Sequence, residues 1–442
     1  MEKQRVAVMV CIIFLLSLLM VPFAYADWAM FRSDPSHSGV GTGNSLLTPR
    51  LLWNYTTDDT VESSPAVANS VLYVGSDDGN LYAINAINGH KIWTYTTGSY
   101  IESSPAVANG IVYIGSDDNN LYAINAANGQ KLWNYSTTGD NYIVSSPTVV
   151  AGVVYAASFI YRVGAVDNYF GYVYAFNAAN GAMLWNFTAE GGVYSSPAVV
   201  GGAVYVGSED NNIYALNASN GAKLWNYTTG DFAESSPAVA NGVVYAGSND
   251  GNIYALEAAT GIKLWNYSTG YEVDSSPAVV GGVVYIGSWD GNVYALDAVN
   301  GKKLWSYPTG NVVESSAAVV DGVVYIGSSD GNLYALNAST GSKLWDFPTG
   351  APITQSSPAV VNGVVYVGSY NNYMVYALGV SFASSNTQLI VIAVAVAIII
   401  IVAVVVVLMF QKRLKTKPAN PPVSTNLSSA SSAPTFQKRL DG

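Results

Sequence analysis

A tryptophan recurs at a fixed spacing through most of the chain, and this periodicity restricts the possible folds more than any other feature. After one interruption of 52 residues the spacing of 40 residues resumes, giving the series Trp53, Trp93, Trp133, Trp185, Trp225, Trp265, Trp305 and Trp345. A fixed period of this length is typical of repeat architectures, in which each repeat buries its apolar surface against its neighbours.

Each repeat contains four short segments separated by turn residues. In the repeat that begins at Ser235 these are Ser-Ser-Pro-Ala-Val, then VVYAGS at 243–248, IYAL at 253–256 and KLWNY at 263–267. Asn-Gly, Asn-Asp-Gly-Asn and Thr-Gly lie between them, and such residues favour tight turns. The pattern predicts a four-stranded antiparallel sheet. Because both faces of that sheet are apolar, the sheets must pack side by side around an axis, as in a β-propeller.

The number of repeats predicts how the ring closes. The first strands begin at eight serines, namely Ser63, Ser103, Ser145, Ser195, Ser235, Ser275, Ser315 and Ser356. The eighth repeat ends at Leu378 without a tryptophan segment, whereas LLWNYT at 51–56 precedes the first repeat. We therefore predict an all-β, eight-bladed propeller over 51–379, with 51–56 as the outer strand of the last blade.

The two ends of the chain carry apolar segments. Residues 1–26 combine Lys3 and Arg5, an apolar run and Ala24-Tyr25-Ala26, the order of a signal peptide; an uncleaved anchor is the alternative. Residues 389–410 are 22 uncharged residues, enough for a transmembrane helix. The basic tail at 411–442 is expected to be disordered and cytoplasmic. With a lead-in segment at 27–50 and a linker at 380–388, this predicts a single-pass cell-membrane protein whose propeller is extracytoplasmic.

One motif resembles a known family. The string Ala-x-(Asn/Asp/Glu)-Ala-x-(Asn/Thr)-Gly-x-Lys-Leu-Trp, at 255–265 and 295–305, is similar to the tryptophan-docking repeat of quinoprotein alcohol dehydrogenases and of the outer-membrane assembly lipoprotein of Gram-negative bacteria. The resemblance implies that the eight tryptophans dock between blades. For the dehydrogenases it further implies pyrroloquinoline quinone, calcium, a catalytic aspartate and two adjacent cysteines. The only cysteine here, Cys11, lies in the signal segment.

Few residues are suited to catalysis. The two histidines, His37 and His90, lie in unrelated contexts, so neither a Cys-His pair nor a zinc site can be assembled. We expect no catalytic residue, no metal site, no cofactor and no enzymatic activity. The leading interpretation is a scaffold at the cell surface that binds a protein or a glycan. The alternatives are a quinoprotein-like oxidoreductase or quinone-binding protein, and a sensor that signals through its tail.

The exported part is strongly acidic. Residues 27–388 contain 27 Asp and Glu against 10 Lys and Arg, a difference of −17 that argues against nucleic acid as a partner. Acids recur before the first strand at Glu62, Glu102, Glu234, Asp274 and Glu314, and in the turn between the second and third strands at Asp78, Asp118, Asp210, Asp250, Asp290 and Asp330. In an antiparallel meander both positions lie at one end of the blade. They are predicted to form an acidic face that attracts cations or a basic partner, or to be turn residues whose charge only aids solubility.

The third repeat contains ten extra residues between Val153 and Val173. Long aromatic loops on a rigid scaffold are candidate recognition sites; the alternative is a hairpin that buries its own aromatic rings. The candidate partner-binding residues are Phe159, Tyr161, Arg162, Tyr169, Phe170 and Tyr172.

Glycosylation sequons also recur with the repeat, and in an exported protein each is a possible acceptor site. They are Asn54, Asn134, Asn186, Asn217, Asn226, Asn266 and Asn337.

Overall fold

The computed structural model describes residues 27–139, 141–160 and 170–380. The predicted signal peptide, transmembrane segment and tail, nearly all of the linker, and Tyr161, Arg162 and Tyr169 lie outside the described residues. All regular elements in the described part are β-strands. A search of that part for a helix with the length and apolarity needed to cross a membrane finds none.

The strands follow the repeat, beginning with β1 (Arg50–Thr56). Blades one and two contain β2 (Ala66–Ala68), β3 (Val71–Gly75), β4 (Asn80–Asn85), β5 (Lys91–Thr96), β6 (Ala106–Ala108), β7 (Ile111–Ser116), β8 (Asn120–Asn125) and β9 (Lys131–Ser136). Blades three and four contain β10 (Asn141–Tyr142), β11 (Thr148–Val150), β12 (Val153–Ile160), β13 (Gly171–Asn177), β14 (Met183–Ala189), β15 (Ala198–Val200), β16 (Ala203–Gly207), β17 (Asn212–Asn217) and β18 (Lys223–Thr228).

The second half of the ring repeats this order. Blades five and six contain β19 (Ala238–Ala240), β20 (Val243–Gly247), β21 (Asn252–Glu257), β22 (Lys263–Ser268), β23 (Ala278–Val280), β24 (Val283–Gly287), β25 (Asn292–Asp297) and β26 (Lys303–Pro308). Blades seven and eight contain β27 (Ala318–Val320), β28 (Val323–Gly327), β29 (Asn332–Asn337), β30 (Lys343–Pro348), β31 (Ala359–Val361), β32 (Val364–Gly368) and β33 (Met374–Gly379).

The predicted all-β, eight-bladed architecture is confirmed, with consecutive antiparallel strands in each blade. The ring closes through the first strand of the chain, because β1 pairs with β33 and Tyr55 lies opposite Val375. Blade three departs from the expected four strands. Its β12 is eight residues long, and β10 pairs with the extra length to give a five-stranded sheet.

The tryptophans of the repeat join each blade to the next. Trp53 donates its indole N–H to the carbonyl of Ala86 in blade one at 3.0 Å, and six further tryptophans bond the equivalent alanine at 2.9 to 3.0 Å. Gly89 lies flat on the Trp53 ring, where an added Cβ would approach to 2.8 Å. Blade eight has no turn of this kind, so Trp345 bonds the carbonyl of Leu46 instead, at 2.7 Å.

The Ser-Ser dipeptide that opens each repeat forms a second inter-blade connection. The backbone N–H of Ser64 donates to the hydroxyl of Ser104 at 2.9 Å, and the same bond recurs at every blade boundary at 2.9 to 3.1 Å. Ser357 donates to Ser64, so eight serines form a closed hydrogen-bonded ring around the axis. We refer to these second serines of each dipeptide as the serine ring.

The lead-in segment runs inside the central channel and bonds the inner strands in turn. Trp28 exchanges two backbone hydrogen bonds with Val67 of blade one at 2.8 Å. Ala29, Pro35, Ser36, Ser38 and Gly39 then accept N–H donors from blades two, four, five, six and seven at 2.7 to 2.9 Å. His37 reaches Thr148 of blade three at 3.2 Å. The segment therefore closes one end of the channel with the chain's own backbone.

Two basic side chains of the lead-in segment are buried. Arg32 is 1% exposed and donates to the carbonyls of Ala317 and Pro277. His37 is 0% exposed, and desolvation lowers its pKa to about 4. An added Cβ on Gly39 would lie 2.2 Å from the Arg32 guanidinium, so this position requires glycine. These buried contacts fix the segment in place.

Candidate functional site at the propeller axis

A cavity of about 180 Å³ lies on the axis. It is at the end of the channel opposite the turns that join the first and second strands of each blade. The residue that precedes each Ser-Ser dipeptide forms its wall, the serine ring lines it, and Phe31 of the lead-in segment also contributes. Going around the ring from blade one to blade eight, the wall residues are Glu62, Glu102, Val144, Tyr194, Glu234, Asp274, Glu314 and Gln355.

Five of the eight wall residues are carboxylic acids, and we call Glu62, Glu102, Glu234, Asp274 and Glu314 the axial acids. All are only partly exposed. Desolvation, with repulsion from Glu102 and Asp77, raises the pKa of Glu62 to about 8. Desolvation likewise raises the pKa values of Glu234 and Asp274 to about 7. No lysine or arginine lines the cavity among the described residues.

Two more acids, Asp77 and Asp117, flank the cavity beside blades one and two. Desolvation and repulsion from Glu102 raise the pKa of each to about 7. One carboxylate oxygen of each is buried and has no hydrogen-bond partner in the described part of the chain. The sequence analysis did not identify them. The available signal was that the residue after the serine that recurs at the end of each second strand is acidic in only some repeats, as at Asp77 and Asp117 but not at Asn249.

The acidic wall is interrupted by an apolar and aromatic sector at blades three and four. Tyr194 takes the wall position in blade four and is 37% exposed. Its ring stacks on Phe159 of the blade-three insertion, with 4.2 Å between centroids and 25° between planes. Tyr142 packs edge-on against Phe159 at 5.5 Å. Desolvation raises the pKa of the Tyr194 phenol above its usual range, so this residue is neutral.

The turn acids at the same end have a different environment. We call Asp78, Asp118, Asp210, Asp250, Asp290 and Asp330 the turn aspartates. Asp250 accepts the Tyr254 hydroxyl at 2.5 Å, the Gly230 N–H at 2.7 Å and the Asn252 N–H at 2.9 Å. Desolvation acts to raise the pKa of Asp250, but these hydrogen bonds together lower it below the ordinary value. The other turn aspartates accept the equivalent bonds from their own tyrosine and from the incoming connection.

The remaining predicted site residues belong either to the blade-three insertion, at the axial end, or to the sequons of the outer strands and turns. Phe170 is exposed at the end of the insertion, and Tyr172 stacks on Tyr174 at 5.8 Å. On the outer strands the sequon asparagines are exposed, namely Asn54, Asn134, Asn186, Asn226 and Asn266. Asn217 and Asn337 are half-buried and hold turns through their side-chain oxygens. Glycosylation stays a prediction.

The described residues contain no group of three or more His, Cys, Asp or Glu side chains arranged to hold a metal ion. The axial acids surround the cavity without converging on one point. They can therefore act together on a group that extends across the cavity, but not as the ligand set of a single ion.

Comparisons with known proteins identify the repeat family and the propeller fold. The sequence profile described as "Outer membrane protein assembly factor BamB" matches residues 46–169, 164–235 and 229–389, which together include the whole propeller. The comparison with curated protein sequences gave no match.

Solved structures with the same architecture include members of both branches of the resemblance. BamB from Moraxella catarrhalis has 17% identity and a TM-score of 0.63, covering 75% of this chain and 100% of that one. Quinohemoprotein alcohol dehydrogenase ADHIIG from Pseudomonas putida HK5 has 18% identity and a TM-score of 0.69, covering 81% of each chain. The Comamonas testosteroni enzyme has 19% identity and a TM-score of 0.67, covering 80% of each. At these identities the likeness establishes the fold alone.

Proposed function

Because the chain belongs to the repeat family of the outer membrane protein assembly factor BamB, we propose that it is a binding scaffold without enzymatic activity, anchored in the cell membrane with its propeller extracytoplasmic. The open axial end is the binding end, and the partner is a protein. This proposal rests on the axial cavity, whose wall contains five acids among its eight positions. The lead-in segment closes the channel behind the cavity.

The cavity does not fit the quinone that the dehydrogenase resemblance implies. Pyrroloquinoline quinone is a tricarboxylic acid, and its carboxylates need cationic or N–H donors. The wall instead presents Glu62, Glu102, Glu234, Asp274 and Glu314, and none of the described lining residues is Lys or Arg. The volume of about 180 Å³ is also below the roughly 300–1,000 Å³ of typical small-molecule pockets.

A protein partner is favoured over a glycan by the charge of the wall. When they are ionised, the five axial acids attract basic side chains over about a Debye length, roughly 8 Å at physiological salt, and a nearby cation favours their ionised form. An uncharged sugar could donate hydrogen bonds to them but gains no charge attraction. The exposed Phe170 and the stacked Phe159–Tyr194 pair add apolar contact area at the same end, and aromatic residues are common anchors of protein interfaces.

Native mass spectrometry of the full chain in detergent, with and without pyrroloquinoline quinone and calcium, tests the proposal that the protein is not a quinone-dependent enzyme. We expect no quinone adduct, while a quinoprotein alcohol dehydrogenase run in parallel gives one. A stoichiometric adduct with this chain would overturn the proposal.

Photo-crosslinking in intact cells tests the binding end. A crosslinking amino acid replaces Phe170 at the axial end or Ile262, which is 62% exposed at the opposite end. We expect a discrete, protease-sensitive adduct from position 170 and none from position 262. Adducts from 262 alone, or from neither position, would contradict a scaffold that binds through its axial end.

A further inference from the structure

Three of the axial acids have no compensating group in the described part of the chain. Glu62, Glu102 and Glu314 accept no hydrogen bond and form no ion pair there. Desolvation is the largest cause of the raised pKa of each. Partly buried carboxylates that repel one another are unfavourable for folding unless a cation accompanies them. Acids whose pKa values are shifted by desolvation and which lie in a cavity are candidate functional residues.

The serine ring beneath the acids adds an independent observation. Seven of its members line the cavity, and each is 3 to 6% exposed, so more than nine-tenths buried. Each hydroxyl oxygen accepts one backbone N–H. None of the seven donates its proton to a described residue, and each retains a second lone pair. The floor therefore presents unused hydrogen-bonding capacity to whatever occupies the cavity.

The aromatic sector completes an asymmetric wall. Tyr194 stacks on Phe159 at blades three and four, whereas the acids lie on blades one, two and five to seven. Aromatic faces attract ammonium and guanidinium groups through their quadrupole. A cavity of about 180 Å³ exceeds the share of one water, roughly 30 Å³, and is suited to a group the size of a side-chain head.

We propose that the axial cavity is a binding site for a guanidinium or primary ammonium group, held by the axial acids, the serine hydroxyls and the Tyr194 face. This deepens the proposed scaffold function and rests on it, because the group belongs to the bound partner. A lone metal ion is a poorer occupant, since no three described acidic side chains converge to ligand distance. A cation with several N–H donors reaches acids on different blades at once.

Isothermal titration calorimetry of the full chain in detergent tests the site. The probe is Nα-acetyl-arginine amide, called arginine amide below, and the matched uncharged probe is Nα-acetyl-citrulline amide, in which a urea replaces the guanidinium and no ammonium group remains. We expect saturable binding of arginine amide only, tighter at pH 8.5 than at pH 6 because the axial acids must ionise. Equal binding of both probes, or binding of neither arginine amide nor an arginine-containing peptide, would overturn the inference.

Matched variants locate the site. Glu62→Gln should weaken arginine amide binding about tenfold, since it removes a charge-assisted hydrogen bond. Glu190→Gln makes the same charge change on an exposed acid at the same end that does not line the cavity. An equal loss in both variants would mean bulk electrostatics and would overturn the site. If Glu62→Gln fails to fold, Glu314→Gln is the second variant. Tyr194→Phe should keep binding, and Tyr194→Ser should weaken it.

Two further probes separate the sources of the cation. Tighter binding of a Gly-Arg-Gly peptide than of spermidine indicates a polypeptide side chain, and the reverse indicates a free polyamine; both support the shared chemistry. The failures are distinguishable, because a quinone adduct would end the scaffold proposal, whereas absent cation binding with intact crosslinking at position 170 would end this inference alone.

Discussion

The axial acids and the turn aspartates lie at the same end of the propeller and carry the same charge, but their surroundings differ. Asp250 accepts four hydrogen bonds, two of them from the backbone, and its pKa is lowered. Glu62 faces a cavity without a described partner, and its pKa is raised to about 8. The turn aspartates stabilise the blade that carries them. The axial acids destabilise it, and their charge is directed at what enters the cavity.

This difference shows that periodic recurrence alone does not identify a functional residue. Both sets recur with the repeat because both occupy fixed positions in the blade. The partners of each side chain decide whether its charge is used within the fold or is available to a ligand. Four predictions separate the two sets.

The largest effect is expected for Asp250→Ala. The change leaves the Gly230 and Asn252 N–H groups and the Tyr254 hydroxyl without their acceptor. We expect a loss of about 2 to 3 kcal/mol in the free energy of unfolding, measured by urea denaturation. A loss below about 0.5 kcal/mol would mean that the turn aspartates are as dispensable as surface charges.

The two sets should also respond to pH in opposite directions. The axial acids have folded pKa values above their unfolded ones, so the folded state binds more protons and stability falls as the pH rises from 4.5 towards about 8. Asp250 and Asp290 have lowered pKa values, so their contribution is lost as the pH falls below 3.8. Calorimetry should give a Tm that is highest near pH 5 and about 2 to 4 °C lower at pH 8.5. A Tm that rises steadily to pH 8.5 would contradict the raised pKa values.

Glu62→Gln should stabilise the protein at pH 8.5. It removes a partly buried charge that repels Glu102 and Asp77, and we expect a gain of about 1 kcal/mol. At pH 4.5 the variant and the parent should be equally stable, because Glu62 is then protonated in the folded state. A variant that is less stable than the parent at pH 8.5 would show that the carboxylate holds the wall together.

The smallest effect is expected for Glu190→Gln. Its side chain is exposed and lies outside the cavity wall, so stability should change by less than about 0.5 kcal/mol at either pH. A larger change would mean that acids without a compensating partner also occur outside the axial cavity.

The sequence predicted the blade number, the strand order and the use of 51–56 in the last blade, because these follow from the period and from one missing segment. It did not predict the serine ring. Each bond of that ring joins residues of adjacent blades, such as Ser64 and Ser104, and the dipeptide reads as an ordinary strand start. The period also predicted the acids that precede the first strands. It did not predict that Val144, Tyr194 and Gln355 occupy the three remaining positions of the cavity wall.

The aromatic sector shows the same limit. Phe159 was identified from the length and composition of the insertion, whereas its stacking partner Tyr194 belongs to the next connection and occupies a position that is acidic in five other blades. Contacts of this kind depend on how far the longer β12 extends, and a one-dimensional repeat contains no information on that length.

The course of the lead-in segment has a consequence for biosynthesis. Trp28 to Leu46 is made before any blade, yet Leu46 accepts a bond from Trp345, 299 residues later in the chain, and β1 pairs with β33 of the last blade. Such distant pairings must await the completed ring and are slow to form. A nascent chain therefore carries β1 and Leu46 without these partners until the last blades have been made. Release of a shortened chain would leave both an open sheet edge and an incomplete ring around the lead-in segment, and exposed edges and apolar surface are recognised by chaperones in incomplete proteins.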